Sequence, residues 1–204
     1  MPPNESPSVP PSESDPPRAR VAEARRNRRK LIAVATRAFA SGERRVPLDA
    51  IAKEAGVGIG TLYRHFPTRE ALVEAVYHDQ TERLRSGAEG LLAAHPPARA
   101  LRLWMDLFAE WAVTKHGMIE TLRAVVSSGK LEYGRMREEL VEVVRVLLDA
   151  GVAAGDIRAD ADASDVGATL AGILAVAGAP EQREQAARML DLLRDGLRPS
   201  AASD

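Results

Sequence analysis

The sequence predicts an all-α protein. Its apolar residues recur at the three-and-four spacing of helix faces along most of its length, and no stretch alternates as a half-buried strand would. Clusters of Gly, Pro and Ser punctuate the periodic segments and divide them into about nine helices. With 204 residues, 45% of them apolar, the chain has ample material for a core. It has no cysteine, which excludes disulfides and thiolate metal sites and suits a reducing, cytoplasmic setting.

Residues 1–17 hold seven of the thirteen prolines, mixed with Ser, Glu and Asp. Such a segment cannot bury enough apolar surface to order itself, and a disordered tail is expected to residue 19. A basic run follows, in which Arg18, Arg20, Arg25, Arg26, Arg28, Arg29 and Lys30 are opposed only by Glu23. Charge runs are commonly solvated helix faces, but this one is dense enough to act as an arm lying against phosphates. It leads into a first helix whose stripe is Leu31, Val34, Ala35, Ala38 and Phe39, ending near Ser41-Gly42.

The stretch 47–69, PLDAIAKEAGVGIGTLYRHFPTR, organises the rest. Leu48, Ile51, Ala52 and Ala55 form the buried stripe of a short helix, and Gly56 is placed to take the left-handed conformation that closes it. A second short helix then runs from about Gly58 to His65. Leu62 and Phe66 point to the core, which leaves Ile59, Gly60, Thr61, Tyr63, Arg64 and His65 free to meet a partner. Thr68 can cap the helix that follows, with Arg69 in its first turn close to the exposed face. Two short helices about a glycine turn fit a DNA-reading helix-turn-helix; a purely structural helical hairpin has the same form, but the basic charge of this part of the chain argues against it. The glycines of 56–60 do not form a phosphate loop, because that motif needs a preceding strand and a helical pattern precedes them.

These residues resemble the TetR family of transcriptional repressors, most closely over IAKEAGVGIGTLYRHF and TREAL at 51–72, and upstream over LIAVATRAFA at 31–40. Two positions depart from the family pattern. Pro47 stands where a hydroxyl residue commonly starts the first helix of the motif, and Gly58 where Ser or Asn often caps the second. The resemblance implies that Thr61, Tyr63, His65 and Arg69 approach phosphates or sugars and that Ile59 and Gly60 approach bases. Arg64 and the basic arm at Arg25, Arg26, Arg28 and Arg29 complete the expected interface with a double-stranded DNA operator.

Charge is distributed accordingly. Residues 1–67 carry 12 Arg or Lys against 7 Asp or Glu, and the remainder 16 against 22, although the whole chain is formally only −1. A basic first third draws phosphate, and an acidic remainder faces away from it.

Downstream, Leu72, Val73, Val76, Tyr77, Leu84, Leu91 and Leu92 predict one long helix from 68 until His95-Pro96-Pro97 breaks it. The next, from 98 to about 115, sets Leu101, Trp104, Met105, Phe108, Trp111 and Ala112 on one side. An aromatic stripe of this kind is more often core than pocket, but the resemblance implies an effector site in this region. Trp104, Phe108, Trp111, Met118 and Tyr133 are its candidates, for a small and largely apolar molecule. A short helix at 118–126, a longer one at 133–154 and two more at about 162–178 and 180–197 complete the chain. The apolar, small-residue helix at 162–178 is expected to pair with its twin in a homodimer, with the final helix beside it.

No catalytic set is present: there is no Gly-x-Ser-x-Gly, no His-Glu-x-x-His, and His65, His78, His95 and His116 lack ligand spacing. No cofactor, metal or membrane partner is expected. The longest nearly apolar run, 166–179, is shorter than the roughly 18 residues a membrane helix needs. The sequence therefore predicts a three-helix DNA-binding domain at 20–67, a helical regulatory and dimerisation domain at 68–198, and tails at 1–19 and 199–204. The function expected is that of a ligand-released repressor binding a palindromic operator as a dimer. A helical interaction module without DNA binding and a helical enzyme with no recognisable motif are the weaker alternatives.

Overall fold

The computed structural model describes residues 16–41, 46–129, 131, 133–177 and 180–199. The expected tails at 1–15 and 200–204 lie outside these residues, as does the side chain of Tyr133. The described residues form nine α-helices and one 3₁₀ turn, with no strand.

Helix α1 (Pro16–Ala40) is longer than its apolar stripe predicts. The basic run forms its first half and is not a separate arm, and residues 16–19, assigned to the tail, form its first turn. The reason is local. Arg and Ala are strong helix formers, no glycine interrupts them, and two prolines are tolerated in a first turn whose N–H groups have no intrahelical partner. The second half of α1 buries Leu31, Ile32, Val34, Ala35 and Phe39.

Helices α2 (Leu48–Glu54) and α3 (Ile59–His65) pack against that half. Gly56 takes φ of 70° between them, and the Val57 N–H donates back to the Ala52 carbonyl at 3.0 Å, closing α2. Pro47 and Gly58 both precede their helices in extended conformation without a side-chain cap. Helix α4 (Arg69–Ala94) is capped by Thr68, whose hydroxyl accepts from the Ala71 N–H at 3.2 Å. It then runs from the helix-turn-helix into the body. One apolar core extends along it without a break, so α4 belongs to both units and the predicted boundary at 67/68 is not a gap in packing.

Helix α5 (Pro97–Gly117) lies against α4, fixed by the Trp104 indole N–H donating to the Leu84 carbonyl at 2.8 Å. Helix α6 (Ile119–Ser127) follows almost without a link, and α7 (Tyr133–Ala153), α8 (Ala163–Ala177) and α9 (Arg183–Gly196) close the body. Asp162 caps α8 through its Oδ1, which accepts from Ser164 and Asp165. Arg102 of α5 donates to Asp191 of α9 at 2.7 Å and holds that carboxyl below the usual carboxylate range. The stability this pair contributes is present at neutral pH and is lost as pH falls through the depressed value, but Asp191 is half-exposed and the amount is small.

Head and body meet most tightly where α1 crosses the end of α5. A Cβ on Gly117 would stand 1.8 Å from the Phe39 carbonyl oxygen, so the α5 backbone can approach α1 only as glycine. Gly117→Ala is expected to destabilise the protein by about 1–3 kcal/mol, the usual cost of overpacking. Gly90→Ala is the control, since its Cβ would meet nothing within 4 Å on an exposed face of α4. It should stabilise by roughly 0.5–1 kcal/mol through helix propensity. Urea denaturation of the two variants checks both signs.

Candidate nucleic-acid interface and effector cavity

The seven residues of α3 are too few to hold a helix alone, and its seating is done by Leu62, fully buried, and Phe66 just beyond its end. The opposite face is bare. Ile59 and Tyr63 are 42% and 47% exposed, Gly60 and Arg64 are exposed, and Thr61 and His65 are half-buried at its edge. A Cβ on Gly60 would meet no atom within 4 Å, so none of the described residues covers the helix there. The structure thus brings the predicted reading residues onto one outward surface.

The basic half of α1 continues from this surface. Arg25, Arg26, Arg28 and Arg29 are all exposed, and Arg28 reaches across to α3, its guanidinium 5.3 Å from the Phe66 ring centroid. Arg37 makes a second tie, to Glu54 of α2 at 2.9 Å.

Arg69 is placed differently from its sequence expectation. It does not lie on the reading face; it is half-buried at the junction of head and body. Its Nη1 donates to the Val46 carbonyl at 2.6 Å, its Nε to Thr121 of α6 at 3.4 Å, and its guanidinium lies 5.6 Å from the Phe39 ring centroid. The loop before α2, the end of α1 and helix α6 are tied together by one side chain.

In the body, a cavity of about 370 Å³ opens between α4, α5, α7 and α8. Trp104, Phe108 and Trp111 line it, with the Phe108 ring stacked 5.5 Å from Trp104 and 5.1 Å from Trp111. Tyr77 adds a tilted ring 6.0 Å from Trp111. Of the other two candidates, one is placed elsewhere. Met118 is buried in the core as the residue between α5 and α6, and its neighbour Ile119 lines the cavity instead. Tyr133 lies outside the described side chains.

Two family models match the sequence. "Bacterial regulatory proteins, tetR family" matches residues 31–76, and "Transcriptional regulator SbtR-like, C-terminal domain" matches residues 96–199. The solved TetR transcriptional regulator SCO0520 of Streptomyces coelicolor is 50% identical, with a TM-score of 0.79 over 85% of this chain and 99% of its own. The chain belongs to the TetR family of transcriptional regulators. A TetR regulatory protein of Mycobacterium vanbaalenii is also similar, at 34% identity and TM-score 0.67 over 88% of this chain and 99% of that one. Among curated relatives, the transcriptional repressor KstR of Mycolicibacterium smegmatis is 44% identical over 64 residues, 30% of this chain and 31% of that protein. KstR of Rhodococcus jostii is 38% identical over 78 residues, 37% and 34% respectively. The chain thus spans about a third of the length of these repressors.

Within this TetR-family chain, the cavity draws on residues that sequence reasoning assigned elsewhere. Leu140, Val141 and Val144 of α7 and Ala168, Ala171 and Leu174 of α8 form its far walls. Their apolar spacing was visible, but a helix stripe does not say whether it faces core or void. The small residues of α8, read as a means of close approach to a twin, also make room on the cavity side. Arg69→Ala is expected to lower stability by about 1–3 kcal/mol through the orphaned Val46 carbonyl and the lost charged donor. Thermal denaturation at fixed pH measures it, and Arg64→Ala, with the same charge removed from an exposed position, is expected to leave the midpoint almost unchanged.

Proposed function

We propose that this protein is a ligand-released repressor that binds a palindromic operator as a homodimer in the cytoplasm, and that it acts by binding and not by catalysis. The observation that carries the reading is the bare outward face of α3, flanked by exposed arginines of α1 and backed by a buried anchor at Leu62. The repressors that match about a third of the chain support the sign of regulation. Among the described residues, no helix is long and apolar enough to cross a membrane.

On this reading Thr61, Tyr63 and His65 meet phosphates, while Ile59 and Gly60 approach base edges. Neither Ile59 nor Gly60 carries a hydrogen-bonding side chain, so discrimination falls to methyl contact from Ile59 and to Arg64. The α1 arginines act on phosphates. A helix about 10 Å across cannot enter a minor groove about 6 Å wide, as an extended arm would. Arg69 supports the interface from behind and is not assigned a phosphate.

Dimerisation is assigned to α8 and α9, but not to the residues their stripes first suggest. Ile173 and Leu190 are 7% and 1% exposed within one chain and belong to its own core. Val176 and Leu192, 65% and 72% exposed, are the apolar side chains left outward. Beside them Gly172 would admit a close partner, since a Cβ there meets nothing within 4 Å. The cavity is the proposed effector site, coupled to DNA by the common 1–3 kcal/mol of allosteric systems.

Two measurements test this reading. Mobility shift on the DNA flanking the protein's own gene should show sequence-specific binding, with Thr61→Ala weakening every binding sequence about three- to tenfold alike, the loss of one hydrogen bond. Absence of any shifted complex would refute DNA binding. In sedimentation at micromolar concentration the unaltered protein should have a dimer mass and the Val176→Glu/Leu192→Glu variant a monomer mass; a monomeric unaltered protein would overturn the assembly.

A further inference from the structure

The arginines in the first half of α1 are not equivalent. At about 3.6 residues per turn, Arg28 continues the buried stripe of that helix, four residues before Ile32 and seven before Ala35, whereas Arg26 and Arg29 fall on other faces. A cation thus stands in the register of the core stripe. Of Arg25, Arg26, Arg28 and Arg29, it is Arg28 whose guanidinium stacks on a ring of the described residues, 5.3 Å from the Phe66 centroid.

That ring is a fixed platform. Phe66 is 2% exposed, its N–H closes α3 by donating to the Leu62 carbonyl at 2.8 Å, and its ring lies 6.3 Å from that of His65, which the reading above sets against phosphate. The Arg28 guanidinium is therefore tied to the end of α3 although its backbone belongs to α1. Stacking uses only the flat face of a guanidinium. Its N–H groups point outward in the plane, and Arg28 is exposed, so the fork that pairs with a phosphate is left open. A long side chain already held at its working position gives up less rotamer freedom on binding than a free one.

We propose that Phe66 is a positioning residue for DNA binding: its ring holds the Arg28 guanidinium ready for a phosphate beside those met by α3, and this contact fixes the register of the basic half of α1 on the DNA. This rests on the DNA-binding reading above and deepens it. Arg25, Arg26 and Arg29 contribute charge, whereas Arg28 contributes charge at a defined place.

Mobility shift over a salt series, with the full chain and the DNA flanking its own gene, tests the proposal. Arg28→Ala, at an exposed position, should make the slope of log affinity against log salt shallower by about 0.9, the loss of one phosphate contact. Phe66→Leu keeps an apolar filler and every charge; it should leave the slope unchanged and lower affinity about two- to tenfold, the cost of immobilising one long side chain. In the Arg28→Ala background Phe66→Leu should weaken binding no further, whereas a merely structural role for the ring predicts the same loss there. Arg28→Lys leaves the core untouched and keeps the charge without the flat face, so it should retain the slope and lose about two- to tenfold in affinity. Full affinity in Arg28→Lys, an unchanged slope in Arg28→Ala, or losses that add in the double variant would each overturn the proposal. No complex with the unaltered protein would refute DNA binding and this inference with it, while a normal complex that the variants leave unmoved refutes this inference alone.

Discussion

The contact between Gly117 and the Phe39 carbonyl is the constraint on which the relation of head to body depends. Helix ends that carry side chains pack some distance apart and tolerate sliding. Here the α5 backbone rests directly on the α1 backbone, with no side chain between them to change rotamer. Arg69 fixes the same junction from the other side by joining Val46, Phe39 and Thr121. Because α1 carries α2 and α3 on its other face, the orientation of the reading helix is inherited from this joint.

The joint and the cavity are adjacent in sequence as well as in space. Lys115, His116 and Ile119 line the cavity, and Gly117 lies among them against Phe39. A change in the last turn of α5 therefore reaches α1 within one or two residues, without a long relay of side chains. A packed, glycine-to-backbone contact cannot deform gradually, so a shift there moves the head as a unit. Any occupant that favours one arrangement of that turn biases the heads by the difference in its affinity for the two arrangements, and by no more.

Much of this was legible in the sequence because caps and stripes are local. The glycine that closes α2 and the threonine that caps α4 each act through a hydrogen bond or a backbone angle set within a few residues. What was not legible is relational. The α5 stripe identified three cavity residues, but Met118 failed because α5 stops at Gly117 and α6 restarts at Ile119; the break in helical phase turns 118 inward and 119 toward the void. Ile173 and Leu190 sit at faultless apolar spacing yet face their own chain, and no stripe names its partner. Arg69 had the right type and position for a phosphate contact, and only the packing of α6 beside it reveals the alternative acceptor. The helicity of the arginine run escaped the stripe criterion because it has no buried side; helix propensity favours it.

The same division explains why the outward surface of α3 is so plain. A helix of seven residues presents few side chains, and one side of α3 is committed to its Leu62 anchor. What remains outward is one branched aliphatic, one glycine, a tyrosine, an arginine and two partly covered polar groups. A surface this small cannot specify a long site by itself, which places weight on a second copy held at fixed spacing. Fixed spacing in turn requires that the head not swing freely on its body. A rigid backbone-to-backbone joint is therefore as necessary to recognition as the residues that would touch DNA.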